Sequence, residues 1–102
     1  MAKPIPTAEK AEMLSKIARI LKAIAHPVKL SIVELLGDGR PRCVSEIQET
    51  LDVEQSLLSH YLIKMKDKGI LVSRREGKRS FYELADRQIL QIFDCMGSCS
   101  IV

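Results

Sequence analysis

The chain has 102 residues, enough for one compact core and too few for two. With 46% hydrophobic residues but only two Tyr, two Phe and no Trp, it is neither a disordered segment nor an aromatic-rich β-sandwich, and an aliphatic, mostly helical core is expected. The formal net charge is only +3, yet between His60 and Arg79 the seven basic residues Lys64, Lys66, Lys68, Arg74, Arg75, Lys78 and Arg79 outnumber the two acids Asp67 and Glu76, and seven minus two leaves +5 in one stretch.

That local surplus suits a polyanion. No apolar run approaches the roughly 20 residues that span a bilayer, and the opening Met1-Ala-Lys-Pro-Ile-Pro6 carries no signal-peptide core. A cytoplasmic protein with no membrane partner is expected. An enzyme is not, because there is no glycine-rich phosphate loop, no nucleophile with a supporting base and no paired carboxylates in an apolar setting.

Residues 1–7 read as a flexible lead-in, with Thr7 capping a first helix that runs through Ala25. Its Leu14, Ile17, Leu21 and Ile24 recur at steps of three and four and so share a stripe. His26-Pro27 closes this helix and opens a second, Pro27 to Leu36, since proline disfavours a helical predecessor yet fits the first helical position. Gly37-Asp-Gly-Arg-Pro41 is a turn by composition, its two glycines permitting positive φ.

A third helix is predicted over Val44 to Leu51 and, across Asp52-Val53, a fourth over Glu54 to Lys68, with Leu57, Leu58, Tyr61, Leu62 and Met65 as its buried stripe and Gly69 as its stop. Ile70 to Arg75 and Ser80 to Leu84 are strand-forming runs joined across Glu76-Gly77-Lys78, a β-hairpin with a basic tip. A fifth helix follows from Asp86 through Phe93 to Met96, apolar at Ile89, Leu90, Ile92, Phe93 and Met96, with 97–102 as a tail. The expected fold is therefore mainly α with a small β-hairpin, in the order ααααββα: a single winged helix-turn-helix domain over residues 1–102.

Two short helices joined by a tight turn and followed by a cationic hairpin are a device for reading duplex DNA. A helix enters the major groove, where each base pair shows a distinct set of donors and acceptors. The candidates on the fourth helix are Gln55, Ser56, Ser59, His60 and Lys64, and those on the hairpin are Arg74, Arg75, Lys78 and Arg79, which neutralise phosphates or enter the minor groove. A merely solvated polar face is the plainer alternative. Another is a winged helix that has turned to protein partners.

Leu21-Lys-Ala-Ile-Ala-His-Pro-Val-Lys-Leu30, Cys43-Val-Ser-Glu-Ile47, Gln55-Ser-Leu-Leu-Ser-His-Tyr-Leu62 and Gly69-Ile-Leu-Val-Ser-Arg-Arg-Glu-Gly-Lys-Arg79 closely resemble the ArsR/SmtB family of bacterial repressors, over about residues 12 to 94. The resemblance implies a homodimer paired through the first and fifth helices, with two recognition helices in successive major grooves about 34 Å apart on near-palindromic double-stranded operator DNA. It also implies release from DNA by an inducer, often a metal ion or metalloid. The zinc-responsive branch resembles a pattern of Asp and His ligands on the last helix, whereas here that helix has Asp86 and Asp94 and no histidine. The arsenic-responsive branch often carries two or more cysteines around the third helix, and here Ser45 stands where a second would fall beside Cys43.

Three cysteines in a cytosolic chain are more often ligands, sensors or filler than a disulfide framework. Cys43 stands where a helix cap is expected, near Arg40 and Arg42, and Glu46 completes a capping-box spacing. Cys95 and Cys99 share a face if the helix continues through Gly97. The expected inducer is As(III), Sb(III) or another thiophilic metal held by Cys95 and Cys99, with or without Cys43; no constitutive cofactor is expected. A thiol redox or polysulfide switch at the same pair is the alternative, as is plain packing for each thiol. His26 is expected to be structural, and His60 to face DNA rather than a metal.

Overall fold

A computed structural model describes residues 7–91 and 93–94. The chain runs α1 (Ala8–Ile24), α2 (Pro27–Leu35), β1 (Arg42–Cys43), α3 (Val44–Leu51), α4 (Gln55–Asp67), β2 (Leu71–Glu76) and β3 (Arg79–Leu84), with 3₁₀ turns at Leu36–Asp38 and Arg87–Leu90. This is the winged helix-turn-helix order, and its boundaries follow local chemistry. The Thr7 hydroxyl accepts the Lys10 N–H at 3.1 Å and caps α1. At the next junction the imidazole of His26 takes the cap role, its Nδ1 accepting the Val28 N–H at 3.1 Å, with Pro27 in the first turn of α2.

The end of α4 is a Schellman motif: Gly69 N–H bonds the Lys66 carbonyl at 3.0 Å and Ile70 N–H reaches back to the Met65 carbonyl at 2.9 Å. That geometry needs the left-handed φ of +80° found at Gly69. It delivers Ile70, buried, directly into the start of β2.

Where the structure departs from the sequence-based expectation, long-range contacts are the reason. The hairpin is the outer part of a three-stranded antiparallel sheet in the order β1-β3-β2, because Arg42 and Cys43 pair with Tyr82 and Phe81. Helix α2 stops at Leu35 and the chain tightens into a 3₁₀ turn. The glycine at 37 serves space rather than positive φ: a Cβ there would lie 2.8 Å from Leu90 Cδ2, where the C-terminal segment packs on this turn. That segment begins as 3₁₀ at Arg87–Leu90 and is helical at Gln91, Phe93 and Asp94, so the predicted fifth helix starts later than Asp86. Its Ile92 and Met96, the lead-in 1–6, Cys95, Gly97, Cys99 and the tail 97–102 lie outside the described residues.

The core is aliphatic apart from Tyr82, and is built by Ile24, Ile32, Val33, Leu36, Ile47, Leu58, Leu62, Met65, Ile70, Leu71 and Leu84. Each such side chain contributes roughly 1.5–3 kcal/mol of burial. Leu57, predicted to be buried, is instead 41% exposed, because the helix-turn-helix packs only the Leu58, Leu62 and Met65 side of α4 against the core. On α1 only Ile24 is buried; Met13, Leu14, Ile17 and Leu21 remain 42–50% exposed on the same stripe. No described helix is long and apolar enough to cross a membrane.

Replacing Gly69 with Ala is expected to cost about 1 kcal/mol of stability by forcing a Cβ into left-handed backbone. Urea unfolding measures it; an unchanged midpoint would show that the α4 terminus does not need that conformation.

Candidate nucleic-acid interface

With Leu58, Leu62 and Met65 turned inward, the 100° step per residue assigns the remaining positions of α4 to three directions. Ser56 and His60 face directly away from the core, Gln55 and Ser59 lie on one flank, and Lys64 lies on the other. Gln55, Ser56, His60 and Lys64 are exposed and Ser59 is half-buried. The amide of Gln55 and the hydroxyls of Ser56 and Ser59 thus sit in the first turns of α4, the end that reaches base edges in helix-turn-helix proteins. In the free chain the Ser56 hydroxyl donates to the Glu54 carboxylate just before the helix. That contact must open for Ser56 to meet a base or phosphate.

The roll of α4 is also held by His26. Its Nε2 lies 3.3 Å from the Tyr61 hydroxyl, and the two rings are 5.1 Å apart between centroids. One imidazole therefore caps α2 and fastens α2 to α4. Lys29 Nζ stands 5.4 Å over the Tyr61 ring on the same flank. The sequence did not single out Tyr61 as a positioning group, since its link to His26 spans 35 residues.

The wing is closed by a two-residue loop, Gly77-Lys78, between the paired Glu76 and Arg79, with Gly77 at φ +63° as the tight turn requires. Alternation then divides the cations between faces. Arg75 pairs with Ser80 and continues the inner face of Leu71 and Tyr82 past the core, while Arg74 and Arg79 lie on the outer face with Glu76. All four of Arg74, Arg75, Lys78 and Arg79 are exposed. Arg74 Nε approaches Glu76 at 3.4 Å, and Arg75 Nε approaches the Gly77 carbonyl at 3.4 Å. An exposed pair of that length is weak and readily exchanged for phosphate.

Of the candidate thiols, Cys43 alone is described. It is 3% exposed, caps α3 in a capping box, and places Sγ 3.2 Å from the Ser45 hydroxyl. Its N–H donates to Glu46 Oε1 at 3.0 Å. The Arg42 guanidinium pairs with Asp38 at 2.6 Å. Among the described residues no three His, Cys, Asp or Glu side chains gather as a metal site.

Comparison with known proteins places this geometry. Residues 26–73 match the family model described as "Bacterial regulatory protein, arsR family". The chain is similar to the biofilm growth-associated repressor of Agrobacterium fabrum, 33% identical over 91% of this chain and 77% of that one. Among solved structures it resembles the homodimeric winged helix-turn-helix DNA-binding domain Mb0332 (fragment 1–100) of Mycobacterium bovis, with a TM-score of 0.72 and 30% identity, covering 95% of this chain and 87% of that one. It also resembles the transcriptional repressor BigR of Xylella fastidiosa, with a TM-score of 0.76 and 29% identity over 92% of this chain and 98% of that one.

The Cys43–Glu46 cap carries a pH prediction. Glu46 is held below its ordinary value of 4.5, first by the Cys43 backbone N–H, then by the Cys43 side chain, with Arg42 and Arg79 adding positive charge. A carboxylate whose pKa is lower in the folded chain stabilises the fold above its unfolded value, and that contribution is lost as pH falls through the folded value. Thermal unfolding followed from about pH 7 to about pH 3 should therefore lose stability more steeply in the native chain than in Glu46→Gln. Parallel curves would contradict the cap's role.

Proposed function

The chain belongs to the arsR family of bacterial regulatory proteins, and from that premise we propose that it is a dimeric repressor that reads operator DNA with α4 and grips the flanking phosphates with its wing. Membership makes it a DNA-binding transcriptional regulator and not an enzyme. The observation that carries the reading is the roll of α4: the core takes Leu58, Leu62 and Met65 and leaves Gln55, Ser56, Ser59 and His60 on the free faces of its first turns. Arg74, Arg75, Lys78 and Arg79 supply the sequence-independent attraction, released counterions providing most of its free energy.

Dimer formation is supported by the exposed stripe Met13, Leu14, Ile17 and Leu21. Beside it, α1 and the 86–91 segment enclose an apolar groove of about 490 Å³ that includes Ile20, Ile70 and Ile89. A second copy of the chain is its natural cover, and the similar Mycobacterium bovis domain is homodimeric. The twofold axis then sets two copies of α4 on successive major grooves. Such a protein works where its operator is, in the cytoplasm.

For release, the proposed inducer is As(III), Sb(III) or another soft ion bound by Cys95 and Cys99. Soft thiolates four residues apart suit such ions. The burial of Cys43 and its cap hydrogen bonds favour a packing role for that thiol, outside the ligand set.

Three outcomes are expected. Substituting Gln55 or Ser59 by Ala should relax sequence preference by about 1–3 kcal/mol at one base position, whereas Arg75→Ala or Arg79→Ala should weaken binding to all sequences and lower the salt slope by about 1 each, both read by fluorescence anisotropy. Leu14→Glu with Leu21→Glu should leave a folded monomer in sedimentation, with operator affinity lost. In gel shifts, Cys95→Ser with Cys99→Ser should abolish release by As(III) while Cys43→Ser retains it; release by peroxide or polysulfide alone would favour a redox switch.

A further inference from the structure

Five cationic side chains converge on a cleft that lies off the groove-reading end of α4. Arg19 and Lys22 come from the C-terminal part of α1, Lys29 from α2, and Lys64 and Lys68 from the end of α4; with Ala23 they line a concavity of about 330 Å³ that contains no acidic residue. None of the five forms an ion pair with a described residue. Like charges brought this close repel, and only the helix ends soften it: Lys22 and Lys64 lie in the last turns of α1 and α4, where the helix dipole is negative. Lys29 is further held in place over the Tyr61 ring, itself tied to His26.

The position argues against a DNA contact. Helix-turn-helix proteins read with the N-terminal residues of the recognition helix, and Lys64 and Lys68 lie nine and thirteen residues beyond Gln55. At 1.5 Å per residue that is about 14 and 20 Å along the axis. A concave, acid-free set of donors from three helices is suited to a compact anion of several charges.

We infer that this cleft is an effector site for a small soluble molecule bearing two or more phosphate groups. It bridges α1, which carries the exposed apolar stripe, and α4, which carries the reading residues. An anion drawing the five cations together couples the placement of α4 to the subunit pairing surface, a consequence that rests on the repressor function proposed above.

Inorganic tripolyphosphate is the probe, titrated calorimetrically into the full chain at low ionic strength. One ion per chain is expected to bind, and Lys22→Gln/Lys68→Gln should weaken it by about tenfold or more. The matching Lys→Arg double variant should retain binding, as should Arg75→Ala/Arg79→Ala, which alters only the wing. On operator DNA without tripolyphosphate the Gln variant should match the native chain, and its affinity should no longer respond when the ion is added.

Equal tripolyphosphate binding by the native chain and the Gln variant would overturn the inference, as would loss of binding in the wing variant instead. So would a Gln variant that binds DNA poorly with no tripolyphosphate present, since the cleft would then be a phosphate contact of the duplex. Failure of the native chain to bind DNA counts against the repressor function alone, because the titration without DNA decides the site separately.

Discussion

Leu58, Leu62 and Met65 bury one side of α4, and the roll that this burial imposes decides what every other residue of the helix can do. Removing any one of these side chains would leave a cavity costing roughly 2–5 kcal/mol, so the roll is strongly held. The Gly69 turn then aims the chain into β2, and β2 with β3 carries the wing cations beyond the core. His26 adds a second hold on the same helix through Tyr61. Reading helix and wing are thus two projections of one packed body.

The same packing explains the uneven treatment of α1. Its C-terminal end is anchored by Ile24, while Met13, Leu14, Ile17 and Leu21 continue the stripe with nothing described beneath them. A single chain of this size gains nothing by holding four large apolar side chains in water. In the proposed dimer a symmetric partner would turn that cost into an interface, and symmetry would in turn give two reading helices from one short sequence.

Features governed by near neighbours in the chain could be read from the sequence. Thr7, His26-Pro27, Cys43 with Glu46, and Gly69 each mark a helix end through atoms within a few residues, and each does so in the structure. What depended on distant residues could not. Strand β1 is two residues long and exists only because Tyr82 and Phe81 pair with it, and Gly37 is small because Leu90 arrives from more than fifty residues away. Leu57 fits a helical apolar pattern, yet its flank of α4 meets solvent. Of the candidate DNA contacts, the pattern could list Lys64 beside Gln55, but only the roll of the helix separates their flanks, and the gathering of Arg19, Lys22 and Lys29 around Lys64 has no signature along the chain.

The central claim is that two copies of α4 act together on one duplex, and operator spacing tests it most directly. With an operator selected from random DNA, inserting five base pairs between the half-sites turns one of them about half a helical turn away from its reading helix. Affinity should fall to that of a duplex carrying a single half-site, and a further insertion that completes the turn should not place the half-sites back at the original separation or restore full affinity. Binding that is indifferent to the insertion would contradict the claim, because α4 would then not be reading the groove as one of a symmetric pair.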